Sequence, residues 1–315
     1  MPAVYVDKLS LLEKIRFEAL NKLERQVSTL TTAPSGFEGE GFPVKRAFYG
    51  VPISKLDPFV HMDQMGQVNY RPGEPKGTPW HPHRGFETVT YIMDGTFVHQ
   101  DSNGGGGRIT NGDTQWMTAG SGILHIETPP EELVVSGGLF HGIQLWVNLP
   151  KSKKFAPPRY QDIRAEKVSL FSTDREDSLM RVIAGEIDGH GGPGLTHTPI
   201  VLAHGTLFED SMVEIPTNST YNALIYVLSG SGFASTKRVA VKSGQLVTFS
   251  GGDYVTLFGS KGENLEFLLL SGEPINEPVV QYGPFVMNTR DEIKQAFEDY
   301  ESGKLGTVPA KEVDV

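Results

Sequence analysis

Alternation limits this chain's fold more than any other feature. Residues 86–95, "FETVTYIMDG", alternate along a short stretch and end in Asp-Gly, the pattern of a strand entering a tight hairpin. From residue 45 to about 275 the text continues in this way, as short apolar runs broken by turn residues. With Gly at 36 positions and Pro at 21, those breaks are too frequent for a helical bundle and suit an all-β sandwich or barrel. The stretch "NGGGGRI" (103–109) has no Lys-Ser/Thr after it and opens no helix, so it reads as a hairpin turn rather than a phosphate loop.

The alternating text also repeats. "ETVTYIMDGTF" (87–97) parallels "NALIYVLSGSG" (222–232), with Tyr91 over Tyr226 and Gly95 over Gly230. "GDTQWMTAGSG" (112–122) parallels "GQLVTFSGGDY" (244–254). Two β-rich units on one plan follow, with "KSKKFAPPRYQDI" (151–163) as the linker between them. Outside the repeat, Leu12, Ile15, Ala19, Leu23, Val27 and Leu30 recur at steps of three and four, which predicts a helix over 10–30. That helix would dock on its own domain or, alternatively, pair two chains. Thr289 and Glu292 form a capping-box pattern that predicts a second, short helix ending near Gly303.

Charge and composition exclude several functions. A net charge of −10 argues against a grip on nucleic-acid phosphates or on an anionic membrane. Cysteine is absent, so any metal site must draw on His, Asp and Glu. The opening "MPAVYVDKLSLLEKIRF" lacks the layout of a secretory leader, and no apolar run approaches bilayer length. A cytoplasmic protein is expected.

The chemistry concentrates in "HPHRGFETVTY" (81–91) and "GSGILHIET" (120–128). Residues two apart on a strand share a face, so His81 and His83 point the same way, as do His125 and Glu127. Side by side in a small barrel, these four side chains would converge. Three neutral imidazoles and a carboxylate suit one divalent ion, whether iron, manganese, cobalt, nickel, copper or zinc, and leave two octahedral positions open. Glu87 is a rival carboxylate, because in a regular strand it shares the face of the pair, and parity alone does not choose between Glu87 and Glu127. Phe86, Met93, Trp116 and Met117 are candidates for the pocket mouth, although such residues in strands are more often core. Arg84 has the opposite parity to His83; it reads as an exposed Arg or as a reporter of the metal state at the surface. His61, His99, His141, His190, His197 and His204 lack paired spacing and are expected to be surface or hydrogen-bonded residues.

"LDPFVHMD", "HPHRGFETVTY" and "GDTQWMTAGSGILHIE" together resemble the signature of the pirin family, within the cupin superfamily, and the similarity runs on to "GPFVMNTRDEI". The resemblance implies a bicupin, two antiparallel jelly-roll-like β-barrels face to face. Residues 1–36 would then be a helical extension, 37–163 the metal-bearing barrel, 164–280 a metal-free barrel and 281–315 a tail with a short helix. The pirin pattern takes His81, His83, His125 and Glu127 as ligands, with iron favoured, whereas the general cupin pattern takes the Glu at 87. It further implies a quercetin 2,3-dioxygenase-like enzyme that opens a flavonol ring with O2, Glu127 serving as general base. The alternative is an iron-binding, redox-responsive protein that regulates transcription factors or other protein partners.

Overall fold

The computed structural model describes residues 5–309; the outermost residues of both expected terminal segments, 1–4 and 310–315, lie outside it. Each half of the chain packs a large sheet on a four-stranded one. In the N-terminal half the small sheet runs His81–His83, Ile123–Thr128, Thr96–Asp101, Gly106–Thr110. In the C-terminal half it runs Met212–Pro216, Tyr254–Gly259, Ser231–Ala234, Val239–Lys242, the same order strand for strand. The two large sheets repeat one another likewise, with Phe86–Asp94 and Asn222–Ser229 as counterpart strands. The expected all-β bicupin is therefore observed, each barrel being an open pair of sheets. Gly95 and Gly230 share a left-handed backbone at φ 94° and 73°, so the matched turns in the repeat are the same turn.

The central strands of the large sheets, Phe86–Asp94 and Asn222–Ser229 among them, are buried on both faces, so successive side chains enter two different cores. Val89, Tyr91 and Met93 meet Leu224, Tyr226 and Leu228 in the core between the two halves. Phe86, Thr90 and Ile92 face into their own barrel, where Thr90 Oγ1 donates to Glu127. Two hydroxyls bridge the halves at the core's edge. Tyr91 meets His204 Nδ1 at 2.8 Å, and Tyr226 donates to Gln64 Oε1 at 2.8 Å. Truncating either ring would cost about 3–5 kcal/mol in lost packing and leave a buried polar partner unmet.

The helix expected over residues 10–30 does not form. A single 3-10 turn at Leu9–Leu11 gives way to extended chain, and Val27–Thr32 pairs antiparallel with Gln245–Phe249 of the C-terminal half. Tertiary pairing overrides the helical period here. An open strand edge needs a partner, and Arg25 fastens the arm in place. Its buried guanidinium donates to Thr217 Oγ1 and to the carbonyls of Ser250, Asn218 and Tyr221 at 2.7–2.9 Å. The supposed apolar stripe is scattered, with Leu23 64% exposed, so the helix-pairing alternative falls with the helix.

The expected linker is part strand as well: Arg159–Ile163 pairs with Thr114–Thr118 in the N-terminal large sheet. At the other end, helix Arg290–Glu301 forms with its Thr289–Glu292 capping box in place. Among the described residues no helix is long and apolar enough to cross a membrane.

Candidate metal centre

His81–His83 is a three-residue strand at the edge of its sheet, a setting that tolerates a proline such as Pro82. It pairs with Ile123–Thr128 in a register that sets His81 directly opposite His125. The three rings gather, with centroids 4.7 Å apart for His81–His83, 4.3 Å for His81–His125 and 4.8 Å for His83–His125. One ring nitrogen from each lies within 4.8 Å of the others.

The hydrogen bonds assign the protons. His81 Nδ1 donates to the Pro79 carbonyl at 2.9 Å, and His83 Nδ1 donates to the Pro284 carbonyl at 3.1 Å. With the rings neutral, this assignment leaves both Nε2 atoms as lone-pair sites, and they face each other at 3.1 Å. Neither nitrogen of the buried His125 ring has a partner. Burial pushes His83 and His125 well below the usual histidine range, which keeps their rings neutral. Neutral lone pairs turned on one another repel unless a cation sits between them. This donor set can hold a divalent metal ion.

Glu127 lies on the wall of the same cleft but outside the 4.8 Å imidazole group. Its Oε1 accepts from Thr90 Oγ1 at 3.1 Å and its Oε2 from Gln144 Nε2 at 2.8 Å. Burial pushes its carboxyl above the usual range, against the opposing pull of His81 and these two donors. The cleft, about 570 Å3, is walled by Phe42, Met65 and Trp146 on its apolar side and by Arg46, His61 and Asp63 on its polar side.

Glu87 does not share the face of the histidine pair. The chain turns at Gly85, with φ +89°, before the next strand begins in a different sheet, so the parity count restarts. A Cβ at Gly85 would meet the Val286 carbonyl at 2.1 Å, and only glycine makes this turn. Glu87 instead faces the C-terminal half, where it accepts from Thr118 Oγ1 at 2.6 Å beside the His197 backbone. Met93 and Trp116 lie in the core between the halves, and Met117 packs with Ala119 and Ile123. Phe86 supports the site from behind, its ring 5.1 Å from His83 and 4.3 Å from Trp146. None of these four lines the cleft. Arg84 is buried rather than exposed, with Nε donating to the Ser121 carbonyl at 2.7 Å and Nη1 to Asp299 Oδ2 at 2.8 Å.

Sequence reasoning missed Thr90 and Gln144, the two residues that hold Glu127. The signal was present in Gln144, a polar residue two before Trp146 on the same face of a largely apolar strand. Of the single histidines, His61 sits at the cleft 3.3 Å from Asp63, while His141 and His204 are buried and hydrogen-bonded.

The pirin family model matches residues 41–147, and the model of the pirin C-terminal cupin domain matches residues 202–306. A pirin-like protein of Solanum lycopersicum is 39% identical over 270 residues, covering 85% of this chain and 89% of that one. Pirin of Rattus norvegicus is 38% identical over 277 residues, covering 87% and 91%. A crystal structure of quercetin 2,3-dioxygenase from Acinetobacter baumannii is similar at TM-score 0.85 and 36% identity, covering 91% of this chain and 100% of that chain.

Proposed function

Since this chain belongs to the pirin family, both of whose domain models it matches in order, we propose that it is a metal-dependent dioxygenase acting on a flavonol. One observation carries the reading: unprotonated imidazole nitrogens converge beside a buried, doubly held carboxylate on the wall of an aromatic-lined cleft. The resemblance of the fold to a quercetin 2,3-dioxygenase agrees with it.

His81, His83 and His125 would hold the ion. Iron is the favoured occupant, because imidazole suits ferrous iron and reaction with O2 calls for a redox-active ion. When bound, the metal supplies Lewis acidity toward the enolic oxygen of the substrate. Everything else falls to the chain. Phe42, Met65 and Trp146 offer an apolar wall for a flat polyphenol. Glu127 accepts the substrate's hydroxyl proton; its raised proton affinity suits it to this, and Thr90 and Gln144 fix the direction of its oxygens. Glu127 stands outside the imidazole group, so the role we assign it is that of base, although each of its oxygens keeps a lone pair beyond the bond it accepts and a contact with the metal would break neither bond.

An oxygen electrode with ferrous-loaded protein and a series of flavonols tests the proposal. Uptake that depends on both metal and flavonol is expected. Metal-replete protein that consumes no oxygen with any flavonol would overturn it.

A further inference from the structure

The C-terminal segment returns to the N-terminal barrel and becomes part of the metal centre. Pro284, 201 residues from His83 in the chain, supplies the carbonyl that orients the His83 ring. Val286 N donates to the Arg84 carbonyl at 3.1 Å. The buried Lys154 ammonium donates to the carbonyls of Gly85 and Val286, both at 2.8 Å, and so ties the turn after His83 to the returning strand. Gln281, Gly283 and Pro284 form one wall of the cleft. Beyond them, Ile293 and Ala296 of the helix pack on Leu124, the residue before His125 whose side chain occupies the opposite strand face.

What fastens this strap is an ion pair. Arg84, 5% exposed, joins the Ser121 turn to Asp299 on the last turn of the helix, and Lys304 Nζ and Gln295 Nε2 also donate to Asp299, at 2.8 and 3.0 Å. A group that accepts the second ring proton of a metal-binding histidine sets its tautomer and aim, and losing such a partner weakens metal binding.

We propose that Arg84 is a positioning residue of the metal centre: its pairing with Asp299 seats the C-terminal strap so that the Pro284 carbonyl holds His83 with Nε2 turned to the ion. This rests on the reading of the three histidines as a metal site. Binding linkage then makes the effect reciprocal, so metal binding stabilises the docked strap as docking favours metal binding.

Cobaltous ion is the probe, since its visible absorption reports coordination and a competing chelator reports affinity. Asp299→Asn is expected to weaken cobalt binding about tenfold and to shift the band. Asp299→Glu should restore most of the loss, and Asp291→Asn, on the exposed side of the same helix, should behave as the parent. In the parent protein, cobalt should slow amide hydrogen exchange over 280–301 and leave the distant strand 245–249 unchanged. This second measurement decides the matter if Asp299→Asn fails to fold. Parental affinity and spectrum in Asp299→Asn, or exchange over 280–301 that ignores the metal, would overturn the role of Arg84 alone. No cobalt uptake by the parent protein would overturn the metal site and this inference with it.

Discussion

Gln144 Nε2 donates to Glu127 Oε2 at 2.8 Å, although the two residues stand on different sheets of the same barrel. The bond crosses the barrel interior and fixes a carboxylate on the cleft wall that lies close enough to His81 to feel its charge. Replacing Glu127 by Gln should lower oxygen uptake about a hundredfold or more, since a positioned general base is lost. Metal affinity should change by less than about tenfold, because the three imidazoles remain. Gln144→Leu should lower turnover by about tenfold through an unmet carboxylate oxygen. Steady-state kinetics alongside metal titration checks both, and loss of metal from Glu127→Gln would make Glu127 a ligand instead.

The interface between the halves should loosen in acid. His141 Nε2 accepts from Gln64 Nε2 at 2.7 Å, and Gln64 Oε1 accepts from Tyr226 of the other half. Burial pulls His141 down to about 4. The unfolded chain binds this proton near pH 6.5 and the folded chain does not, so His141 contributes stability that is present above pH 6.5. That contribution is lost as pH falls toward 4, by roughly 1.4 kcal/mol per pH unit. Denaturant unfolding across this range should show the slope, and His141→Gln should reduce it by about one proton.

Arg25 should be indispensable to the C-terminal half. Its guanidinium makes four hydrogen bonds to neutral acceptors while buried, so Arg25→Ala is expected to destabilise by on the order of 3 kcal/mol or more. Deleting residues 5–32 should expose the edge of Gln245–Phe249 and cause association, which light scattering would detect. A truncated chain that stays monomeric and equally stable would show that the arm is dispensable.

Local rules made part of this structure legible, and long-range contacts hid the rest. Strand alternation put His81 and His83 on one face, and their Nε2 atoms lie 3.1 Å apart. The repeat identified shared turns, confirmed by the left-handed backbone at both Gly112 and Gly244, and capping-box spacing located the last helix. Periodicity failed over 10–30 because the pairing of Val27–Thr32 with a strand some two hundred residues away leaves no periodic trace. Parity misplaced Glu87 because counting through a glycine turn assumes a strand that has already ended. Arg84 looked like a surface residue because its partner, Asp299, lies 215 positions away. The Pro284 carbonyl on His83 was invisible for the same reason, since no residue type encodes a backbone acceptor.

The three imidazoles carry the proposed metal site, and ferrous stoichiometry tests them most directly. Protein loaded anaerobically with ferrous salt, desalted and assayed for iron should retain one ion per chain in the parent and in Glu127→Gln. His81→Ala, His83→Ala and His125→Ala should each retain little or none. Iron-free parent protein, or full retention by the three histidine variants, would contradict it.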